Sequence, residues 1–248
     1  MSDQHWEYFT YDGVQSSTYG VWISGEDTFA APDRDVEIVQ IPGRNGTLTL
    51  DNGRYNNVTL TYPCFMVGDF LTGFSTFKGA IFAKKGFLQL TDTYHPDGFR
   101  LARITKGTKP KPGPYNRSAA FTLTFDCYPQ FYLTTGQSYT TVANNGTISN
   151  PTNFDALPII QVAFSSTTRN GTVTVNGRTI TITGAEGTPL YIDCETQNAY
   201  RISSSVQISQ NGKITLDSDF PFLKPGSNTV SYTGNISSVK LMPRWWTL

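Results

Sequence analysis

Histidine is scarce in this chain, with only His5 and His95 among 248 residues. A Ser-His-Asp triad or a histidine-rich metal site therefore has very little material. The phosphate loop, the H-E-x-x-H and G-x-S-x-G motifs and the EF-hand pattern are also missing. We therefore expect no enzyme activity, no catalytic residues, no cofactor and no metal site.

One short stretch, TDTYHPDGFR, does bring titratable residues together. Asp92, His95 and Asp97 lie within six residues, as a metal site or an acid–base site would require. The same residues surround His-Pro-Asp-Gly, which is typical turn chemistry. The turn is the interpretation that the composition favours.

The chain carries no surplus charge, because 19 basic residues balance 19 acidic ones. It therefore has no overall field to attract nucleic acid or an anionic membrane. No window approaches the roughly 18 apolar residues of a membrane span, and residues 1–13 lack the pattern of a signal peptide. We expect synthesis and folding in a cytoplasm, without membrane insertion or sequence-specific binding of nucleic acid.

Cysteine is limited to Cys64, Cys127 and Cys194, which lie far apart in apolar or aromatic surroundings. No C-x-x-C spacing occurs, and an odd number of cysteines cannot all pair within one chain. The sequence favours buried free thiols over a disulfide or a metal role.

The residues that are abundant indicate a mainly β protein. Aromatics make up 13% of the chain, and short β-branched and aromatic runs end at glycine or asparagine. One segment instead has helical spacing, which predicts a single α-helix at about 69–85 that stops near Gly86. Its apolar stripe consists of Phe70, Leu71, Phe74, Phe77, Ile81 and Phe82.

Two turn-rich regions of the first half carry exposed basic residues. TLTL and VTLTYPCFMV read as two strands separated by Asp-Asn-Gly-Arg, and Arg44 lies in the preceding PGRNG turn. Arg44 is either an exposed turn residue or an anchor at an interface. The loop 105–118 carries Lys106, Lys109, Lys111 and Arg117 without an acid, which suits a solvated hairpin loop, a contact with a partner subunit, or a path for nucleic acid.

The chain loses its periodicity between 134 and 157, where Thr, Asn and Gly dominate. This predicts an N-terminal β-domain with one helix at 1–133, a linker at 134–157 and a second domain at 158–248. Short strands at spacings near 10 residues predict a β-sandwich or jelly roll for the second domain. The clearest signal is VTVNGRTITI, where Asn176-Gly177 predicts a two-residue hairpin.

Two alternatives remain for the second domain. An exposed tyrosine or tryptophan on a sandwich can bind sugar rings, and the candidates are Tyr191, Tyr200, Trp245 and Trp246. The adjacent tryptophans cannot both face one flat site on a regular strand, because neighbouring residues point in opposite directions. A glycosidase would need a carboxylate pair, yet Asp193, Glu195, Asp217 and Asp219 all lie at ordinary strand ends or turns.

Five stretches, in order, resemble the distal tail protein (Dit) family of long-tailed, non-contractile bacteriophages of Gram-positive bacteria. IPGRNGTLTLDNGRYNN resembles an early Pro-Gly-Arg-x-Gly turn of that family, and LQLTDTYHPDGFRLARI with AAFTLTFDCYPQFYL resembles its middle. YIDCETQNAY and the close DFPFLKPGSNTVSYTGNISSVKLMPRWWTL resemble its second half. Together they span nearly the full length of the chain.

The resemblance implies a structural virion protein with a ring-forming N-terminal domain and a galectin-like C-terminal β-sandwich. Such proteins form a homohexameric hub at the phage tail tip, around a channel through which DNA passes. Their partners are the tail-tube protein, the tip or tail-associated lysin protein, and baseplate or receptor-binding proteins. Some relatives carry an inserted carbohydrate-binding module, for which this chain leaves no room. The alternative is a glycan-binding adhesion protein of the tail that recognises the host cell wall through the C-terminal sandwich.

The family context gives the ambiguous residues expected roles. Arg44, Lys106, Lys109, Lys111 and Arg117 become candidate interface residues. Val239 and Leu241 are expected to face one way along a last strand that Pro243 ends. Arg244, Trp245 and Trp246 are then expected to form a clasp between the domains, with at least one tryptophan on the first domain or on the linker.

Overall fold

A computed structural model describes residues 6–248 of the chain. His5 and the first five residues of the stretch considered for a signal peptide lie outside the described residues. The described chain is mainly β-strand with one α-helix, which confirms the predicted fold class. It divides after Phe131 into two compact units, of which the second runs from Tyr132 to Thr247 while Leu248 groups with the first.

The first unit is built on one antiparallel sheet with the strand order β2-β1-β7-β8-β10-β6-β3, and β9 adds to β10. A separate pair, β4 and β5, forms a second sheet. The elements are β1 Phe9–Tyr11, β2 Val14–Gln15, β3 Val21–Ile23, β4 Arg34–Gln40, β5 Thr47–Tyr55, β6 Val58–Val67, α1 Phe70–Phe82, β7 Leu88–Asp92, β8 Gly98–Ile104, β9 Lys111–Pro112 and β10 Ser118–Leu133.

An aromatic core holds this sheet against the helix. Phe9, Tyr62 and Phe125 lie with ring centroids 5.6–5.7 Å apart in pairs, and Phe9 also contacts Phe77 of α1 in an edge arrangement. Alternate residues of β6 and β10 are buried, as the two-residue period of a strand requires. The unit is therefore stabilised mainly by burial of large aromatic side chains.

Helix α1 confirms the helical spacing but is shorter than predicted. Asp69 caps its N-terminus by accepting a hydrogen bond from the Leu71 N–H at 3.1 Å, and the helix ends at Phe82. Phe70, Phe77 and Ile81 are buried, whereas Leu71 is exposed. Leu71 therefore does not belong to the packed stripe. In the described residues no helix is long and apolar enough to cross a membrane.

The pairing expected around Asp-Asn-Gly-Arg is wrong. Those residues lie inside β5, which pairs with the preceding β4 and not with β6. Gly53 has a positive φ of 72°, and its N–H donates to the Asp51 carboxylate at 2.8 Å. The register shifts beside this point, so the glycine forms a bulge within the strand and no chain reversal follows.

The second unit consists mainly of two antiparallel sheets. Their strand orders are β11-β21-β13-β16-β17-β18 and β12-β20-β14-β15-β19, and their buried side chains share one core. This is the sandwich that the regular strand spacing predicted. The strands are β11 Thr140–Val142, β12 Gly146–Asn150, β13 Ile159–Phe164, β14 Gly171–Val175, β15 Arg178–Ile182, β16 Leu190–Asp193, β17 Asn198–Ser203, β18 Val206–Ser209, β19 Ile214–Leu216, β20 Gly226–Gly234 and β21 Ile236–Met242. The short strand β22 Trp246–Thr247 lies outside these two sheets.

The Asn-Gly hairpin is confirmed in register. Val175 pairs with Arg178, and Asn176 and Gly177 have φ angles of 49° and 82°, as a type I′ turn requires. Further along, Asn228 organises the Pro-Gly-Ser-Asn turn. Its buried side chain accepts from the Lys224 N–H at 2.7 Å and donates to the Gly226 carbonyl at 2.8 Å.

Residues 134–157, assigned to a linker on composition, carry β11 and β12. Strand β11 pairs with β21, and β12 pairs with β20, so the two strands enter different sheets of the second unit. They are sheet edges with many exposed polar side chains. Such strands lack the apolar alternation that would have marked them in the sequence.

Candidate functional site

The hairpin β4–β5 exposes apolar side chains on both faces. Strand pairing places Val36 and Ile38 on one face, and Val39, Leu48 and Leu50 on the other. Ile38 is 63% exposed and Leu50 is 47% exposed. A two-stranded sheet with apolar residues on both faces does not bury them by itself. The hairpin is thus suited to insertion between other protein surfaces.

Ion pairs brace the base of this hairpin. Arg34 pairs with Asp51 at 2.6 Å and its guanidinium lies over the Tyr55 ring, while Arg54 pairs with Asp35 at 2.6 Å. Hydrogen bonds from the Gly53 N–H and from Arg34 lower the pKa of Asp51. The hydrogen bond from Arg54 lowers the pKa of Asp35. Both carboxylates are therefore charged near neutral pH, and the cross-strand bridges hold the two strands together.

Arg44 lies at the tip of the same hairpin. Its N–H donates to the Ile41 carbonyl at 3.2 Å in the turn that joins β4 to β5, and the side chain is exposed. It makes no ion pair with any described residue. The interface role of Arg44 therefore stays a prediction. The exposed apolar residues of β4 and β5 lie in the same hairpin and are further candidates for an interface.

The basic loop joins β8 to β10, which are neighbours in the sheet. Lys111 belongs to the short strand β9 and pairs with Ala120 of β10, and Tyr115 is 93% exposed. Within residues 6–248, Lys106, Lys109, Lys111 and Arg117 have no acidic partner within salt-bridge distance. The four charges are brought together on one connection and face outward.

A groove of about 450 Å³ lies between this loop and α1. Its walls include Phe82 and Lys78 of the helix and Gly107 and Thr108 of the loop. The Thr108 hydroxyl is buried and has no hydrogen-bond partner among the described residues. The groove thus combines an apolar wall with a cationic rim.

The stretch around His95 is a polar turn. The Asp92 carboxylate accepts from the His95 N–H at 2.9 Å, lies 2.8 Å from His95 Nδ1, and accepts from the Tyr62 hydroxyl at 2.6 Å. These bonds tie the turn to the sheet. No group of three or more metal-ligating side chains exists in the described part of the chain.

All three cysteines are buried with free thiols, which confirms their predicted burial. Burial raises the pKa of Cys64 and of Cys127 to about 12, and it raises the pKa of Cys194 further. A thiol must ionise to act as a nucleophile or a metal ligand. These cysteines are therefore suited to packing in the core.

Arg244 occupies a distinctive position just after β21. Its backbone has a positive φ of 56°, uncommon for a residue with a side chain, and its N–H donates to the Gly136 carbonyl at 2.8 Å. The guanidinium donates to Asp193 through Nη1 and Nη2 at 2.9 and 2.8 Å, and to Glu195 at 2.7 Å. Asp193 and Glu195 are thus partners of one arginine and do not form a catalytic pair across a cleft.

The two tryptophans have different surroundings. Trp245 is 5% exposed and belongs to the core of the second unit, and its carbonyl accepts from the Leu133 N–H at 2.9 Å. Trp246 stacks on Phe154 with ring centroids 4.3 Å apart and donates to the Asp155 carbonyl at 2.9 Å. Phe154 and Asp155 lie in the segment that was assigned to the linker. The clasp between domains stays a prediction.

The Arg244–Asp193 pair gives a testable pH dependence. Burial alone would raise the pKa of Asp193, but hydrogen bonds from Arg244 and its charge outweigh burial and lower the pKa below the ordinary 3.8. A carboxyl with a depressed folded-state pKa stabilises the fold above its ordinary pKa, and this stability is lost as the pH falls through the folded value. We expect Asp193→Asn to lower the free energy of unfolding by roughly 2–4 kcal/mol at pH 7, and by less near pH 2.

Urea denaturation followed by tryptophan fluorescence at pH 7 and at pH 2 checks this expectation. Asp219→Asn is a matched control, because Asp219 lies in the same unit and pairs with Arg178 at 3.7 Å, but its side chain is 88% exposed. An equal loss at both pH values for Asp193→Asn would contradict the ion-pair account.

The sequence missed the most exposed apolar feature of the first unit. VEIVQ and TLTL alternate like ordinary half-buried strands, so nothing in their pattern shows that neither face is covered. The sequence did identify Arg44 at the tip. It also identified Tyr191 and Tyr200, which the structure places side by side on β16 and β17.

Residues 151–245 match the family model described as "Siphovirus-type tail component, C-terminal domain". The SPP1 Dit (gp 19.1) protein, titled a paradigm of hub adsorption apparatus in Gram-positive infecting phages, superposes with a TM-score of 0.76 at 15% identity, covering 98% of this chain and 99% of that one. The phage P2 baseplate in its activated conformation matches with TM-scores of 0.57 with Ca and 0.56 with Sr. Identities there are 9% and 10%, covering 96% and 95% of this chain and 97% of each baseplate chain. Comparison with curated proteins gives no sequence match.

The family that matches residues 151–245 is one of phage tail components and not of enzymes, and the fold of the whole chain is that of a phage hub protein. Its second unit carries the C-terminal domain of a siphovirus-type tail component. The resemblance to the distal tail protein family is confirmed, because the family model and the match over the full chain agree with it. The chain therefore has the fold of SPP1 Dit over nearly its full length.

Proposed function

We propose that the protein is a homohexameric hub of the tail tip. In this proposal it links the tail tube to the tip or tail-associated lysin protein and to baseplate or receptor-binding proteins. The ring leaves a central channel for DNA, and the subunits assemble in the cytoplasm of the host bacterium. The observation that carries the proposal is the exposed apolar hairpin β4–β5 of the first unit.

The hairpin supports self-association for a physical reason. Five apolar side chains on its two strands lack a covering layer in the single chain, and each gains free energy when water is removed from it. A heterologous contact, in which one subunit inserts its hairpin against a different surface of the next, repeats around a closed ring. This geometry uses one hairpin and one receiving surface per subunit and leaves none unpaired.

Negative-stain electron microscopy of the purified full chain tests the ring. We expect annular particles with six-fold averages and an open centre, together with a mass of six chains by light scattering. Addition of the tail-tube protein is the second condition, since a partner can favour ring closure by mass action. A monomer under both conditions, at concentrations well above micromolar, would overturn the proposal.

The basic loop is proposed as a second assembly surface. Lys106, Lys109 and Lys111 face outward without acidic partners in residues 6–248, beside the groove formed with Phe82. Unpaired cations on a surface speed association with a partner of opposite charge, and salt screens this attraction. We therefore expect replacement of the three lysines with serine to slow attachment of the tube about tenfold at low salt. Binding kinetics at two salt concentrations measure this effect.

The control for the loop is replacement of Lys213, Lys224 and Lys240 with serine, which removes the same charge from the second unit. Unchanged kinetics in the variant of the basic loop would make the loop ordinary surface. Equal slowing in both variants would assign the effect to overall charge.

A further inference from the structure

A row of side chains crosses the outer face of the six-stranded sheet in the second unit. Strand pairing places Gln161 beside Tyr191, and Tyr191 beside Tyr200. The row extends to Lys240 and Thr141 on one side and to Ser209 on the other. Residues paired across a sheet point to the same face, so these side chains form one continuous surface.

Three tyrosines dominate this surface, and we call Tyr139, Tyr191 and Tyr200 the tyrosine platform. The Tyr191 and Tyr200 rings stack with centroids 5.4 Å apart and planes inclined by 11°. Tyr139 lies 6.3 Å from Tyr191, and Gln161 donates to the Tyr191 hydroxyl at 3.1 Å. The rings are thus ordered by their neighbours before any ligand is present.

A shallow polar pocket of about 370 Å³ adjoins Tyr200. It is lined by Asp193, Thr196, Asn198, Ala199, Tyr200, Gln207 and Ser209, and all of these except Ala199 have polar side chains. In the part of the chain that the structure describes, the Tyr139 and Tyr200 hydroxyls and the Gln207 amide have no hydrogen-bond partner. These groups are available to a ligand.

Other members of the pocket are fixed by bonds within the chain. The Asn198 amide donates to the Thr196 carbonyl at 2.9 Å, and its oxygen accepts from Asn211 at 3.0 Å. Asp193 accepts from the N–H groups of Glu195 and Thr196. A prearranged polar wall lowers the ordering cost of binding.

The electrostatics favour an uncharged ligand. Arg244 pairs with both Asp193 and Glu195, so one negative charge remains beside the pocket and disfavours an anionic ligand. Burial, together with the nearby Tyr200 and Tyr191, raises the pKa of Tyr139 to about 12, which keeps its hydroxyl protonated near neutral pH. Aromatic faces beside neutral donors and acceptors suit a ring with C–H groups on one face and hydroxyls at its edge.

We propose that this face binds a neutral saccharide segment. A sugar ring packs against the tyrosine platform, and its hydroxyls bond to Tyr200 and Gln207 at the edge of the polar pocket. This binding goes beyond the hub function and does not depend on ring formation. It uses Tyr191 and Tyr200, while Trp245 is buried in the core and Trp246 is engaged with Phe154.

Saturation-transfer NMR and calorimetry on the full chain test the proposal with four neutral probes: maltotetraose, cellotetraose, the β-linked tetramer of N-acetylglucosamine, and lactose. We expect saturable binding of at least one probe with a dissociation constant near millimolar, typical of a small contact. Tyr200→Ala should weaken it about tenfold, and Tyr200→Phe should weaken it less because the ring remains.

Tyr128→Ala is the matched control, since Tyr128 is an exposed tyrosine stacked on Phe87 in the first unit. Absence of saturable binding for all four probes overturns the proposal. It is also overturned if Tyr200→Ala binds as tightly as the unchanged chain. Electron micrographs of the same variants report the ring separately, so failure of one proposal is distinct from failure of the other.

Discussion

Replacement of Ile38 and Leu50 with aspartate is expected to abolish ring assembly without unfolding the subunit. The two residues lie on opposite faces of the hairpin β4–β5 and are exposed in the single chain, so the folded subunit gains little from them. In the ring, each buried side chain contributes about 1.5–3 kcal/mol, and an aspartate in its place adds the cost of burying a charge. Each subunit contact should weaken by at least about a hundredfold.

Light scattering and electron microscopy measure assembly, and urea denaturation measures stability of the same sample. The matched control is Ile202→Asp with Val206→Asp, which removes two exposed apolar residues from the edge hairpin β17–β18 of the second unit. The control should assemble normally. If the hairpin variant still forms rings, the hairpin is not part of the interface. If both variants lose the rings, the cause is charge repulsion from the added aspartates and not the loss of a specific contact.

Replacement of Trp245 with alanine is expected to cost the second unit about 3–5 kcal/mol of unfolding free energy. Trp245 fills the core among residues of the second unit, and its removal leaves a large cavity. Gly136 lies directly against its backbone and ring, so the neighbouring chain has little freedom to close the gap. A loss of this size is a large fraction of the stability of a typical domain.

Calorimetry and urea denaturation of the full chain check the loss. Trp246→Ala is the paired control, because it removes the same side chain from a partly exposed site where it stacks on Phe154 and donates one hydrogen bond. We expect a smaller loss there, about 1–2 kcal/mol. Equal losses in the two variants would mean that burial of Trp245 is not what stabilises the unit.

Local chemistry made several elements predictable. The Asn176-Gly177 hairpin followed from two residues that tolerate a positive φ between alternating strands. The spacing of Phe70, Phe77 and Ile81 indicated α1 because only a helix places them on one face. In each case the determining contacts lie within a few residues along the chain.

Elements that depend on contacts between distant residues could not be predicted from local sequence patterns. Strands β11 and β12 are polar edges whose partners, β21 and β20, lie about 80–100 residues further along, so no local pattern marked them. The Asn-Gly at position 52 was read as a turn, but pairing of β5 with β4 made it a bulge. A glycine permits a positive φ, but its presence does not determine whether the chain reverses direction at that position.

The sequence by itself determined the β class, the single helix, the burial of the cysteines and the resemblance to distal tail proteins, because composition, period and ordered motifs carry that information. Only the tertiary structure decided that both faces of β4–β5 are uncovered, that Arg244 pairs with Asp193 and Glu195, and that Tyr191 and Tyr200 stack. These features depend on the register between strands. Register is fixed by packing of the whole core, which residues near in sequence do not specify.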